Sequence, residues 1–152
     1  MGQQQLILLV LATVIVGIAI IIGIRAFTEN GIRANSDAMV QDMVRMASDA
    51  QAWKQKPAPF GGQSDVTAAL KLIKETPIDY SGITFTLLGY PEAGGIYENL
   101  NAHYTITGGA AGAVISGCNQ LKENLVVLAV TGISDTNIAQ TTLEVGTSSC
   151  AF

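Results

Sequence analysis

The sequence is short of the residues from which most catalytic and metal sites are built. Its 152 residues include one histidine and two cysteines, and 13% of them are charged. A metal site usually needs three or four ligands, but His103 has no cluster of cysteines or carboxylates around it in sequence. Gly61-Gly62 and Gly108-Gly109 lack the lysine and the spaced glycines of a phosphate-binding loop. We therefore predict no enzyme, no cofactor and no metal ion, with a calcium site built from scattered loop acids as the alternative.

Positive charge is also scarce. The net charge is −4 and the isoelectric point is about 4.7. Proteins that bind nucleic acid through bulk charge need clustered lysine or arginine to release counterions. The composition therefore argues against a nucleic-acid partner.

Charge is completely absent from the apolar run Leu6–Ile24. As a helix, this run would span about 29 Å, one hydrocarbon thickness. No basic residue precedes it, and it is longer than the apolar core of a secretory signal peptide. We expect a membrane span with Met1 as a processed N terminus, and a start-transfer anchor is the alternative.

The span continues into a charged, amphipathic segment, the stem. Apolar side chains recur there at spacings of three and four residues, which predicts a helix with one buried face as far as about Trp53. The residues of this stripe are Met39, Met43, Met46, Ala50 and Trp53. Pro57 ends the helix, because the residue before a proline is disfavoured in α conformation. We thus divide the chain into a helix over 1–56, apolar over 1–24 and amphipathic over 25–56, and a globular head over 57–152.

The head has the residue alternation of β-strands. A short helix is predicted over Val66–Lys74. Beyond it, alternating or β-branched runs predict strands, separated by glycine-rich turns. The runs are 83–87, 104–107, 125–131 and 141–145. The predicted fold is α+β: a long N-terminal helix packed on a C-terminal antiparallel sheet of four or five strands.

The two cysteines, Cys118 and Cys150, both lie in the head. An even count in a chain that leaves the cytoplasm favours one disulfide. A pair of buried free thiols is the alternative.

With these features together, the chain resembles a mature type IV pilin. The resemblance rests on the segment from Met1 to Val10, on the unbroken stem over 43–56 that precedes Pro57-Ala58-Pro59-Phe60-Gly61-Gly62, and on the C-terminal cysteine pair. It covers residues 1 to about 55 well, and the head only by architecture and by its cysteines. Two features depart from the family pattern: Gln5 stands where the family usually has glutamate, and Ile22 stands where it has a proline.

The resemblance implies a structural subunit of an extracellular type IV pilus that serves adhesion, motility or DNA uptake. Met1 would be methylated and, with Gln5, would set subunit register; Cys118 and Cys150 would bound the C-terminal disulfide region. The partners would be identical subunits, the inner membrane before assembly and the pilus assembly machinery. Residues expected to pack in the filament core are Leu6, Leu9, Val10, Val16, Gly17, Ile20 and Gly23.

Two other readings stay open. One is a pseudopilin of a type II secretion system, and the other is a membrane-anchored extracytoplasmic binding module that does not polymerise. Within the span, each glycine weakens the helix by about 1 kcal/mol. We therefore expect a local extension between Gly17 and Gly23, with a continuous helix as the alternative.

Overall fold

A single α-helix, α1, runs without interruption from Gly2 to Gln55 in the computed structural model, which describes residues 2–62, 78–119 and 121–146. Its 54 residues correspond to a rod of roughly 80 Å. In the single chain the continuous alternative is observed, and the local extension between Gly17 and Gly23 stays a prediction for the helix packed in a filament. Opening a turn would expose backbone groups that have no partner there, and this costs more than the weak helix propensity of two glycines.

The head is a five-stranded antiparallel sheet in which each strand pairs with the next along the chain. The strands are β1 (Ile96–Glu98), β2 (His103–Gly109), β3 (Gly112–Asn119), β4 (Asn124–Val130) and β5 (Ile138–Glu144). Short 3₁₀ turns lie at Ala58–Phe60 and Asp135–Asn137. This confirms the predicted α+β class, with the stem half of α1 packed on one face of the sheet.

Alternation explains which sheet face is buried. Along β4 the residues at even positions are buried and those at odd positions are partly exposed. Val126, Leu128 and Val130 therefore contribute to the core, together with Ala113 and Ile115 of β3. Gly117 of β3 also faces the helix, because a Cβ on it would stand 2.9 Å from the Met43 sulfur.

One predicted strand is wrong. Residues 85–88 form a short helix, α2 (Phe85–Leu88), instead of part of a strand over 83–87. The Thr84 hydroxyl accepts a hydrogen bond from the Leu87 amide, and the Glu92 carboxylate accepts one from the Phe85 amide. Gly89 closes the helix with a φ of 86°. These caps satisfy the end groups of a helical turn, which the alternation of apolar residues and threonine could not reveal.

The strands β2, β4 and β5 cover the runs predicted from residue 104 onward except for residues 131 and 145, whereas β1 and β3 were not predicted. Gly112 and Gly117 lie within β3 and not in the glycine-rich turns that were predicted between the strands. The helix predicted over Val66–Lys74 lies outside the described residues.

Candidate functional site

The apolar half of α1, residues 6–24, is the largest exposed apolar surface in the described part of the chain. Its large aliphatic side chains are between 50% (Val10) and 67% (Leu9) exposed. By length and composition this helix could cross a membrane, and none of its most apolar window is buried against the head. Such a surface in a folded protein marks a contact with lipid or with another protein.

The residues expected in a filament core all lie on this exposed half: Leu6, Leu9, Val10, Val16, Gly17, Ile20 and Gly23. At Gly17 and Gly23, an added Cβ would meet no atom within 4 Å. Gln5 is exposed at the same end of the helix, and Met1 lies outside the described residues. The single chain therefore leaves these residues free for contacts with another molecule.

The stem half of α1 is built differently, because one of its faces belongs to the core of the head. The five stripe residues are all buried in the main hydrophobic cluster: Met39, Met43, Met46, Ala50 and Trp53. The Trp53 indole donates a hydrogen bond to the Gly61 carbonyl at 3.0 Å, which ties the loop after the helix to its last turn. Helix and head are therefore one packed unit from about residue 32 to residue 55.

Asp42 is the main polar link between the stem and the sheet. One of its carboxylate oxygens accepts hydrogen bonds from the side-chain amides of Asn99 and Asn101 at 2.9 and 2.7 Å. The same oxygen accepts a third bond from the Tyr104 hydroxyl at 3.0 Å. A carboxylate with three donors is a strong anchor, since hydrogen bonds to a charged group exceed those between neutral groups.

Amide side chains link the two ends of β4 to α1. At its start, the Asn124 side-chain amide donates to the Ile32 carbonyl at 3.0 Å and to the Asn35 side chain at 2.9 Å. Beyond its end, Gln51 donates to the carbonyls of Gly132 and Ser134 at 2.9 and 2.7 Å. The strand therefore runs alongside the helix from residue 32 to residue 51, and its start is nearest the apolar half.

Tyrosines line the interface beside these links. Burial raises the pKa of Tyr80 to about 12. Burial and then the hydrogen bond to Asp49, at 2.5 Å, raise the pKa of Tyr90 to about 12. Burial, reinforced by the Asp42 carboxylate, also raises the pKa of Tyr104 far above its usual range. Each shift reflects a hydroxyl held neutral in a low-dielectric contact.

Burial also affects the last turn of the helix, where it lowers the pKa of the Lys54 ammonium and the Asp79 carboxylate opposes the shift. Beside the β1–β2 loop, His103 pairs with Glu98 at 3.3 Å, and their side chains are 45% and 70% exposed. Within the described residues, no group of three or more histidines, cysteines and carboxylates could hold a metal ion.

Cys118 is 1% exposed and its sulfur is in a disulfide. Its predicted partner, Cys150, lies outside the described residues, so their pairing stays a prediction. The free-thiol alternative is wrong for Cys118.

The polar side chains that link α1 to the sheet were not predicted from the sequence. The spacing of Asp42 and Asp49 does indicate their place, because residues seven apart share a helix face, here next to the methionine stripe. For Asn124 the signal is weaker: it stands at the start of an apolar strand, where a fully buried amide (0% exposed) needs a partner.

Comparisons with protein-family models, with curated proteins and with solved structures find no match to this chain. The geometry defines a class by itself: an exposed apolar helix, long enough to span a membrane, continuous with the core helix of an antiparallel β head.

Proposed function

We propose that this chain is a structural subunit of an extracellular helical filament of the type IV pilus kind. The observation that carries the proposal is the uninterrupted helix from Gly2 to Gln55, exposed and apolar in one half and buried in the head in the other. The resemblance of its first 55 residues to a mature pilin supports the same function.

The apolar half needs an apolar environment at every stage. Before assembly the inner membrane supplies it, and in a filament a bundle of identical helices does. A helix bundle is about as apolar as lipid, so transfer between the two is close to neutral per residue. A subunit of this kind can therefore be extracted by assembly machinery without a large free-energy barrier from solvation alone.

The stem couples movement of the helix to movement of the head. Because its methionine stripe and Asp42 fix the sheet on α1, a displacement of the helix carries the head with it. Stacked copies would then place their heads outside and their apolar halves along the axis. Adhesion, motility and DNA uptake are functions of the resulting filament surface.

The test is electron microscopy of material sheared from the cell surface, combined with gold-labelled antibody against the head. We expect filaments labelled along their whole length, and a helical reconstruction with residues 6–24 at the axis. A chain present in the membrane fraction and absent from any filament would instead identify an anchored binding module. Filaments confined to the periplasm would identify a pseudopilin.

A variant of the span tests whether filament formation needs this particular apolar helix or only a membrane anchor. Replacing residues 6–24 by a leucine helix of equal length preserves the span but removes Gly17 and Gly23. We expect normal membrane levels and loss of filaments, because a uniform leucine surface lacks the close-approach sites that helix packing in apolar surroundings uses.

A further inference from the structure

Two loops of the head lie at the end nearest the apolar half of α1. The β3–β4 turn immediately precedes Asn124, which bonds to Ile32, and the β1–β2 loop contains Asn101, whose carbonyl accepts a bond from Asn35 at 3.0 Å. The two loops also contact each other, since the Asn119 amide donates to the Asn101 carbonyl. They form one end surface of the head.

Each loop carries a fully exposed leucine. Leu100 is 103% exposed and Leu121 is 95% exposed, the two highest values among the large apolar side chains described. Their neighbours are polar: Asn99, Asn101 and Lys122. An apolar tip set among amides and an ammonium group suits the headgroup region of a bilayer, which is apolar on its inner side and wet on its outer side.

The distance of these two leucines from the membrane follows from where the span ends, at Ile24. The Lys122 ammonium lies 3.8 Å from the point where a Cβ on Gly31 would stand, so the side chain next to Leu121 reaches the level of Gly31. The backbone of Asn101, next to Leu100, is bonded at the level of Asn35. From Ile24 the helix rises about 10 Å to Gly31 and about 16 Å to Asn35. The polar layer of one leaflet is about 5–8 Å thick. A helix tilt of about 20° towards the sheet lowers a head that is packed about 10 Å from the axis by about 3 Å. This brings the Leu121 end of the surface to the polar layer, with Leu100 a few ångströms above it.

We propose that Leu121 docks the head on the bilayer that its own helix spans, at the level of the lipid headgroups, with Leu100 above it on the same surface. The docked head keeps one fixed height and orientation until the subunit leaves the membrane. This inference rests on the membrane-anchored stage of the proposed function and not on polymerisation. Phe60 provides the internal contrast, because it is 79% exposed but lies beyond the far end of α1.

The test places a tryptophan at each tip of the full-length chain, reconstituted in phosphatidylcholine vesicles whose lipid carries bromine near the top of the acyl chain. Both tips are exposed, so Leu100→Trp and Leu121→Trp displace no packed neighbour. The native Trp53 is 5% exposed and stands about 43 Å beyond Ile24 along the helix, out of reach of the bromines. Phe60→Trp is the matched distal control, and Phe27→Trp reports insertion of the anchor one turn above Ile24.

We expect fluorescence quenching by brominated lipid to be at least twofold greater for Leu121→Trp than for Phe60→Trp, with Leu100→Trp between the two. Equal quenching at tips and control, with Phe27→Trp strongly quenched, would overturn the docking and leave the membrane anchor and the filament proposal intact. Tip fluorescence that shifts to the blue with protein density, without quenching by bromine, would overturn it in favour of contact with a second copy. Absence of quenching at Phe27→Trp would overturn both the docking and the anchor on which the filament proposal depends.

Discussion

At the residue scale, Asp42 shows how one side chain can hold a helix to a sheet. It is half-buried, and Asn99, Asn101 and Tyr104 all converge on one of its oxygens. Removal of the carboxylate would take from these three donors the charged acceptor that they share. The stability of the interface therefore depends on this residue as well as on the buried methionines beside it.

We expect Asp42→Ala to lower the free energy of unfolding by about 2–3 kcal/mol, since charged hydrogen bonds are lost at a partly solvated site. That corresponds to a fall in melting temperature of about 5–10 °C for a chain of this size. The measurement is near-ultraviolet circular dichroism of the full chain in detergent micelles. Asp37→Ala, at an exposed position on the same helix, is the control and should change stability by less than about 0.5 kcal/mol. Equal effects of the two substitutions would show that the Asp42 hydrogen bonds add no stability.

The tyrosines predict a loss of stability in alkali. Tyr80 and Tyr90 titrate near pH 12 in the folded chain, against a value of about 10 when unfolded. A pKa raised by folding means that the folded state keeps the proton, so the contribution is complete below about pH 10 and is lost as pH rises towards 12. Melting temperature should therefore fall between these limits, and Tyr90→Phe should flatten the fall. An unchanged pH profile in Tyr90→Phe would contradict this assignment.

At the scale of the element, α1 performs two functions in one helix. Its buried stripe follows the helical period and ends at the head, whereas its apolar half is exposed on all sides. A helix that is apolar all round is stable only in a membrane or within a bundle. The two halves therefore require different environments, and the continuous backbone couples them.

Gly17 gives a test of how the apolar half is used. In the single chain an added side chain there meets nothing within 4 Å, so Gly17→Leu should leave the helix intact and raise its intrinsic propensity by roughly 1 kcal/mol. We expect normal levels in the membrane and fewer filaments, because a leucine blocks close approach of a neighbouring helix. Ile18→Leu, which conserves volume, is the control. Undiminished filaments in Gly17→Leu would show that this glycine is not a packing contact.

At the scale of the whole molecule, the shape is a rod with the head attached over its second half only. The head packs on α1 from Ile32 onward and its Lys122 ammonium approaches Gly31, so residues 2–28 have no packed partner in the described chain. Identical subunits can then overlap along their apolar halves while their heads remain outside. Assembly in this form depends on how the helix ends are held in register.

Gln5 is the residue through which we expect register to be set. If the ammonium of Met1 lies in the dry core of a filament, the amide oxygen of a neighbouring Gln5 can accept its hydrogen bond. Gln5→Leu would remove that acceptor at a cost of about 1.5–3 kcal/mol, so fewer filaments should form at unchanged membrane levels. Gln5→Glu, which restores an acceptor with charge, should assemble at least as well as the native chain. Wild-type piliation in Gln5→Leu, counted by electron microscopy, would refute this role.

The sequence by itself determined the features that depend on local periodicity. The charge-free run Leu6–Ile24, the methionine stripe and the alternation in β4 each repeat within a few residues, so their burial or exposure can be read from neighbours in the chain. Only the tertiary structure decided the rest. The α2 turn needs the carboxylate of Glu92, seven residues beyond Phe85, and Asp42 finds its donors 57 to 62 residues away. The two exposed leucines become one surface only because the sheet brings their loops together at the same end, and such contacts between distant residues leave no period in the sequence.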